Sequence, residues 1–172
     1  NYDCVYQVIT ECIKKGYEDF LMISDGEAAI SVGFENTQGY KDALQDACRD
    51  GGTQYLQDGV KSAQVYGMLK EKVDLSRKTL IYVASPGQLQ VVYQAIRNYP
   101  DYMGLFPDTL GLVGFDVEGW TRMTTPAISA IITPAYQEGV RAMEELVDVL
   151  DGKKREGDVV FKNIVKWRET TL

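Results

Sequence analysis

The 172 residues predict an α/β fold, a three-layer sandwich in which a parallel sheet lies between two layers of helices. Three observations predict it. Short apolar runs alternate with stretches of helical periodicity along the whole chain. Runs such as Thr79–Ala84 are hydrophobic almost without interruption, as strands covered on both faces are. The stretches between them are long enough to make crossover helices between parallel strands.

The elements follow in order. Val5, Val8, Ile9, Cys12 and Ile13 share one helical face, and Gly16 stands where a helix-ending residue belongs. Asp19 to Ser24 is the first strand. Asp25-Gly26-Glu27 reads as a turn without a partner motif for metal, and Phe34, Tyr40, Ala43, Leu44 and Ala47 mark a second helix. Gln54-Tyr55-Leu56 is a short strand. Val60 to Lys72 is helical, with Val65, Met68 and Leu69 on its apolar side. A strand over Thr79–Ala84 is followed by a helix from Gly87 to Arg97 and a strand from Leu110 to Phe115. Ile128 to Ile132 is another strand, and Ala135 to Leu150 a long amphipathic helix stopped by Gly152. Lys153-Lys154-Arg155-Glu156 reads as a solvated turn, and Val159 to Arg168 alternates as a closing strand. The opening helix has no strand ahead of it. Either the sheet begins unusually or the chain is a piece of something longer.

Composition excludes several functions. A domain of this size buries roughly 70% of its unfolded surface and needs no metal or disulfide staple. The chain has no histidine, which removes Ser-His-Asp and Cys-His nucleophiles and every His-containing zinc site. Cys4, Cys12 and Cys48 are too far apart for a CxxC pair and read as free buried thiols of a reducing compartment. A net charge of −7 makes the chain itself a poor nucleic-acid binder. No apolar run spans a membrane, Asn1-Tyr2-Asp3 does not open a signal peptide, and a cytoplasmic location is expected. Gly51-Gly52 belongs to no phosphate-loop pattern, and no cofactor is implied.

Five segments carry a resemblance. They are Ile13-Lys14-Lys15-Gly16-Tyr17 before the first strand, Gly39-Tyr40-Lys41-Asp42-Ala43-Leu44, Pro107-Asp108-Thr109-Leu110-Gly111-Leu112-Val113-Gly114-Phe115-Asp116, Pro126-Ala127-Ile128-Ser129-Ala130-Ile131, and Val165-Lys166-Trp167-Arg168-Glu169-Thr170-Thr171. In this order and spacing the chain resembles the C-terminal part of the effector-binding core of LacI/GalR-family transcriptional regulators. The resemblance implies a periplasmic-binding-protein-like (type I) fold whose two subdomains enclose an effector cleft. It implies that residues 1–133 plus 159–172 form the C-terminal subdomain, and that 134–158 is a return helix that packs on the first subdomain in the family. Without that partner, the stripe Val140, Met143, Leu146, Val147 and Leu150 must fold back on its own sheet or be covered by another chain. It further implies that Asn1 is a fragment end, with the helix-turn-helix and most of the first subdomain lying ahead of it.

The site follows from the strand-end rule and the resemblance together. Ligands of open parallel sheets bind beyond the carboxyl ends of the strands. Asp116 ends a strand and matches the family's first "FDD" aspartate, a carboxylate able to accept two sugar hydroxyls; its alternative role is a loop or helix cap. Asn36 stands where the family has arginine, so it can bond a polyol but cannot clamp a carboxylate. Ser85-Pro86 replaces "ND", with Pro86 equally suited to a first helical turn, and Thr133 replaces a glutamine. Trp120 can stack on a sugar or cover the core. These departures disfavour an anionic effector. Trp167, Tyr82, Tyr93 and Tyr136 read as core aromatics. A homodimer seam is implied around Leu89, Val92 and Tyr93 and around Thr124, although the first three suit a sheet equally well.

The leading function is therefore effector sensing, of a neutral sugar, in a homodimeric regulator that reads operator DNA through a domain absent from this chain. The alternative is a periplasmic-type sugar-binding protein of an ABC transporter. An enzyme is disfavoured: Asp116 and Glu118 lie only two apart, with no nucleophile motif beside them.

Overall fold

The computed structural model describes residues 1–25, 31–117, 119–153 and 157–172. Gly26 and Glu27 of the expected turn, Glu118, and residues 154–156 of the charge run lie outside the described residues. In chain order the elements are α1 (Tyr2–Lys14), β1 (Asp19–Ser24), α2 (Ser31–Asp46), β2 (Gly52–Tyr55), α3 (Ser62–Lys72), β3 (Thr79–Val83), α4 (Pro86–Asn98) and α5 (Pro100–Met103). β4 (Leu110–Asp116), a 3-10 turn (Trp120–Met123), β5 (Ser129–Ile132), α6 (Ala135–Leu150) and β6 (Ile164–Lys166) complete the chain. The strands form one sheet in the order β2-β1-β3-β4-β5-β6.

Strand periodicity divides the core into two layers. Leu21, Ile23, Ile81 and Val83 face α3 and α4, packing with Val65, Leu69, Leu89, Val92 and Ile96. Their neighbours Phe20, Met22, Leu80 and Tyr82 face α1 and α2, packing with Val5, Ile9, Tyr40 and Leu44. Successive side chains of one strand thus serve opposite helix layers, which is why the runs are apolar throughout. The opening helix is accounted for by α2: at Gly39 a Cβ would sit 2.7 Å from the Tyr2 carbonyl oxygen, so the absent side chain permits the close approach of the two helices.

The α/β class and the mostly parallel sheet are as expected, and the details differ as follows. The sheet is mixed, because β6 pairs antiparallel with β5. β6 also spans only three of the ten residues expected: Ile164–Lys166 face Ala130–Ile132, and Val160 is 84% exposed. Alternation therefore overstated a segment that has a partner for only part of its length. α5 was not legible, being too short for a helical period to show. Of the three cysteines only Cys12 is buried, while Cys48 is exposed at a left-handed backbone position. Finally, α6 does not fold back on the sheet. None of its residues is buried, and Tyr136, expected to bury its ring, is 81% exposed.

Trp167 packs partly buried on the α1–α2 side, with the Lys15 ammonium 4.0 Å from its ring centroid. Tyr82 and Tyr93 are buried as expected.

Candidate functional site

Strand order reverses between β1 and β3, since β1 pairs with β2 on one side and β3 on the other. The crevice beyond their carboxyl ends is the topological switch point, the place where open α/β sheets take ligands. β1 ends there at the buried Ser24, whose hydroxyl donates to Asp25 Oδ1 at 3.4 Å, and Asp25 is exposed. Treating Asp25 only as a turn residue missed this position. The missing signal was strand order, which a run of local patterns does not contain.

Asn36 reaches the same place from α2. Its side chain is 3% exposed, and Nδ2 donates to the Ala84 carbonyl at 3.3 Å, just past β3. Its Oδ1 is buried without a hydrogen-bond partner. An orphaned buried acceptor is costly, and a donor supplied from the crevice would satisfy it. Ser85 follows Ala84 as the N-cap of α4 in an extended conformation, and its side chain makes no capping bond. Pro86 occupies the first turn of α4, where its missing N–H costs nothing. Asn36 and Ser85 are thus brought together at the switch point.

Asp116 and Thr133 lie farther along, at the ends of β4 and β5, joined by the Thr133 N–H donating to the Asp116 carbonyl at 3.4 Å. The Asp116 side chain is completely buried. Its Oδ1 accepts from the Gly119 N–H at 2.7 Å, and its Oδ2 accepts from the Thr121 N–H at 3.2 Å and from the Thr121 hydroxyl. Of the two roles open in the sequence, the geometry realises the loop-organising one: the carboxylate faces its own turn.

Trp120 opens that turn. It packs partly buried against the α3–α4 core, with its ring centroid 6.1 Å from that of Tyr93 at an interplanar angle of 54°. It covers the core, and it carries no free face over the crevice between β1 and β3. Leu89, Val92 and Tyr93 are buried against the sheet at 0, 0 and 6% exposure, so the expected seam cannot use these side chains. Their apolar face was the sheet-facing face of α4. The Thr124 hydroxyl bonds within its own turn, at 2.9 Å from both the Thr121 and Pro126 carbonyl oxygens, and Met123 beside it is 73% exposed.

Among the described residues no cluster of His, Cys, Asp or Glu could hold a metal ion, and no helix is long and apolar enough to cross a membrane. At the described carboxyl ends of the parallel strands β1–β5 stand hydroxyls and carboxylates, with the Asn36 amide beside them and no Lys or Arg, a set that bonds hydroxyl groups without supplying a cation.

The model of the periplasmic binding protein-like domain matches residues 9–171. An HTH-type transcriptional regulator, KdgR of Bacillus subtilis, is 22% identical over 154 residues, which are 86% of this chain and 44% of that protein. The probable maltose operon transcriptional repressor MalR of Staphylococcus aureus superposes with a TM-score of 0.83 at 12% identity, over 98% of this chain and 59% of that one. A LacI-family transcriptional regulator of Enterococcus faecium, solved with bound ribose, superposes with a TM-score of 0.78 at 14% identity, over 97% and 61%. At these identities the likeness shows the fold. The chain spans about half the length of the regulator from Bacillus subtilis.

Proposed function

The chain belongs to the periplasmic binding protein-like domain family, and on that premise we propose that it is the effector-sensing part of a LacI/GalR-type transcriptional regulator whose strand-end crevice takes a neutral sugar. The observation that carries the reading is the orphaned, buried Asn36 Oδ1 beside Ser85 at the switch point. A sugar hydroxyl supplies the donor this acceptor lacks, and a second hydroxyl can meet Ser85. Asp25 adds an exposed acceptor at the end of β1, whereas the Asp116 carboxylate is already taken by its own turn, and no Lys or Arg stands at the described carboxyl ends of the parallel strands β1–β5. The relative solved with ribose supports the choice of class. In this reading Thr133 borders the site, while Trp120 belongs to the core and not to the wall of the crevice.

Residues 1–133 plus 159–172 are the C-terminal subdomain, and 134–158 is the return helix that docks on a first subdomain. The open stripe of α6 supports this division: Met143, Val147 and Leu150 are 60, 50 and 77% exposed. An open groove of about 960 Å³ runs along Tyr136, Val140, Met143 and Val147. Effector binding then acts by linkage, favouring one placement of the two subdomains and so one spacing of the DNA-reading domains in a homodimer. With Leu89, Val92 and Tyr93 turned inward, a dimer seam on this side uses the outward face of α4, with Gln90 and Gln94, together with Met123 and Thr124.

Amide chemical shifts during titration with D-ribose and with ribose 5-phosphate test the reading. Shifts at Asn36 and Ser85 with the neutral sugar, and none with the phosphate, are expected. Preferential binding of the phosphate would overturn it.

A further inference from the structure

The closing segment is bolted to the turn that carries Asp116. Arg168 stands two residues past β6. Its Nη1 donates to the Thr121 hydroxyl oxygen at 2.9 Å and to the Ile128 carbonyl at 2.6 Å, and its backbone N–H donates to Ser129 Oγ at 2.8 Å. A guanidinium only donates, and a threonine hydroxyl has one proton. With its oxygen receiving Arg168, Thr121 Oγ1 directs that proton to Asp116 Oδ2. The Thr121 N–H and the Gly119 N–H converge on the same carboxylate. The Thr121 carbonyl is held in turn by the Ile128 N–H at 3.0 Å. Together these bonds tie the turn of residues 119–121 to Asp116 on one side and to β5 and the closing segment on the other.

We infer that Arg168 is a positioning residue of the strand-end site: acting from the closing strand, it sets the Thr121 hydroxyl and through it locks the Asp116 carboxylate onto its turn. The consequence for recognition is specific. A ligand hydroxyl that reaches the buried Asp116 carboxylate must compete with the donors of Gly119 and Thr121, and Arg168 sets how firmly Thr121 holds its place. Arg168 is thus a direct side-chain link from the segment after β6 to the turn that holds Asp116. The meaning of the site rests on the sugar-effector reading, whereas the coupling of Arg168 to the turn does not.

Hydrogen exchange on the 172-residue chain, resolved by residue, tests it in wild type, Arg168→Met, Arg168→Lys, Thr121→Ser and Thr121→Val. Arg168→Met should speed exchange of the Gly119 and Thr121 amides roughly ten- to a hundredfold, the range of a lost charge-assisted hydrogen bond. Amides of β1 and β3 should keep their rates. Arg168→Lys should retain part of the protection and Thr121→Ser nearly all of it, because the hydroxyl survives. Thr121→Val added to Arg168→Met should change little further, since the two act in series. Unchanged turn amides in Arg168→Met, or acceleration spread evenly over the sheet, would overturn the inference. D-Ribose added to wild type and Arg168→Met separates the two readings. Freed turn amides without any response to ribose keep the positioning role and sink the sugar; a ribose response with turn amides unmoved by Arg168→Met does the reverse.

Discussion

Replacing Asp116 by alanine separates a ligand-facing carboxylate from a structural one. A carboxylate open to a crevice can be removed at little cost to stability. Here the side chain is completely buried, and its two oxygens receive the Gly119 N–H, the Thr121 N–H and the Thr121 hydroxyl. Thr121 is itself fully buried, so its N–H and hydroxyl have no access to water once the carboxylate is gone. A buried donor left unpaired costs about 1–3 kcal/mol, so Asp116→Ala should lose roughly 2–5 kcal/mol. For a domain of this size each kcal/mol moves Tm by about 2–4 °C, which places the drop at roughly 4–20 °C. Asp116→Asn should lose nearly as much, because one acceptor oxygen becomes a donor facing other donors. Urea unfolding followed by circular dichroism measures both. The midpoint should fall with the slope unchanged, since the surface exposed on unfolding is the same. A wild-type midpoint in Asp116→Ala would refute the reasoning and return Asp116 to an open, ligand-facing role.

Three further outcomes are expected. Tyr82 is fully buried, stacks on Tyr40 at 5.8 Å between centroids, and its hydroxyl has no partner. Tyr82→Phe should therefore raise stability by about 1 kcal/mol in the same urea assay, and a loss would show that the hydroxyl is satisfied. Charging the open face of α6 with Val147→Lys should leave the unfolding midpoint within about 0.5 kcal/mol of wild type, because no α6 residue is buried; light scattering should show less self-association, and a large stability loss would mean that α6 packs on its own domain. Burial pushes the Cys12 thiol up to about 12 and holds Tyr17, Tyr40 and Tyr82 above the usual tyrosine range. The folded chain then keeps protons that the unfolded chain releases, so this stability is complete below about pH 9 and is lost as pH rises toward 12. Urea midpoints measured from neutral to alkaline pH should fall through that window, and a flat profile would contradict the burial of these groups.

β3 and β4 were legible because strands covered on both faces must be apolar throughout, and Thr79–Val83 and Leu110–Asp116 are buried at every position. Pro86 was legible as a helix start because its chemistry is local. β6 was overextended because alternation at Val159–Arg168 records only that the segment can be a strand; β5 offers it three partners. Asp25 was passed over and Asp116 overrated for one reason. Whether a strand-end acid opens to a crevice or caps its own loop depends on neighbours from distant parts of the chain, such as Arg168 on the Thr121 that holds Asp116.

By itself the amino-acid sequence determined the layering: which residues are apolar, with what period, and therefore which segments become buried strands and which become helices. The absence of histidine and the net charge of −7 are likewise properties of composition alone. Tertiary structure decided strand order, the antiparallel closing strand, and which polar groups meet at the switch point. It also decided which face of each helix is spent. Leu89, Val92 and Tyr93 are consumed by the sheet, whereas the equally apolar stripe of α6 is left open. Amphipathicity requires that a face be covered but does not name the cover. That depends on the position of every other element, and such positions are fixed only when the whole chain packs.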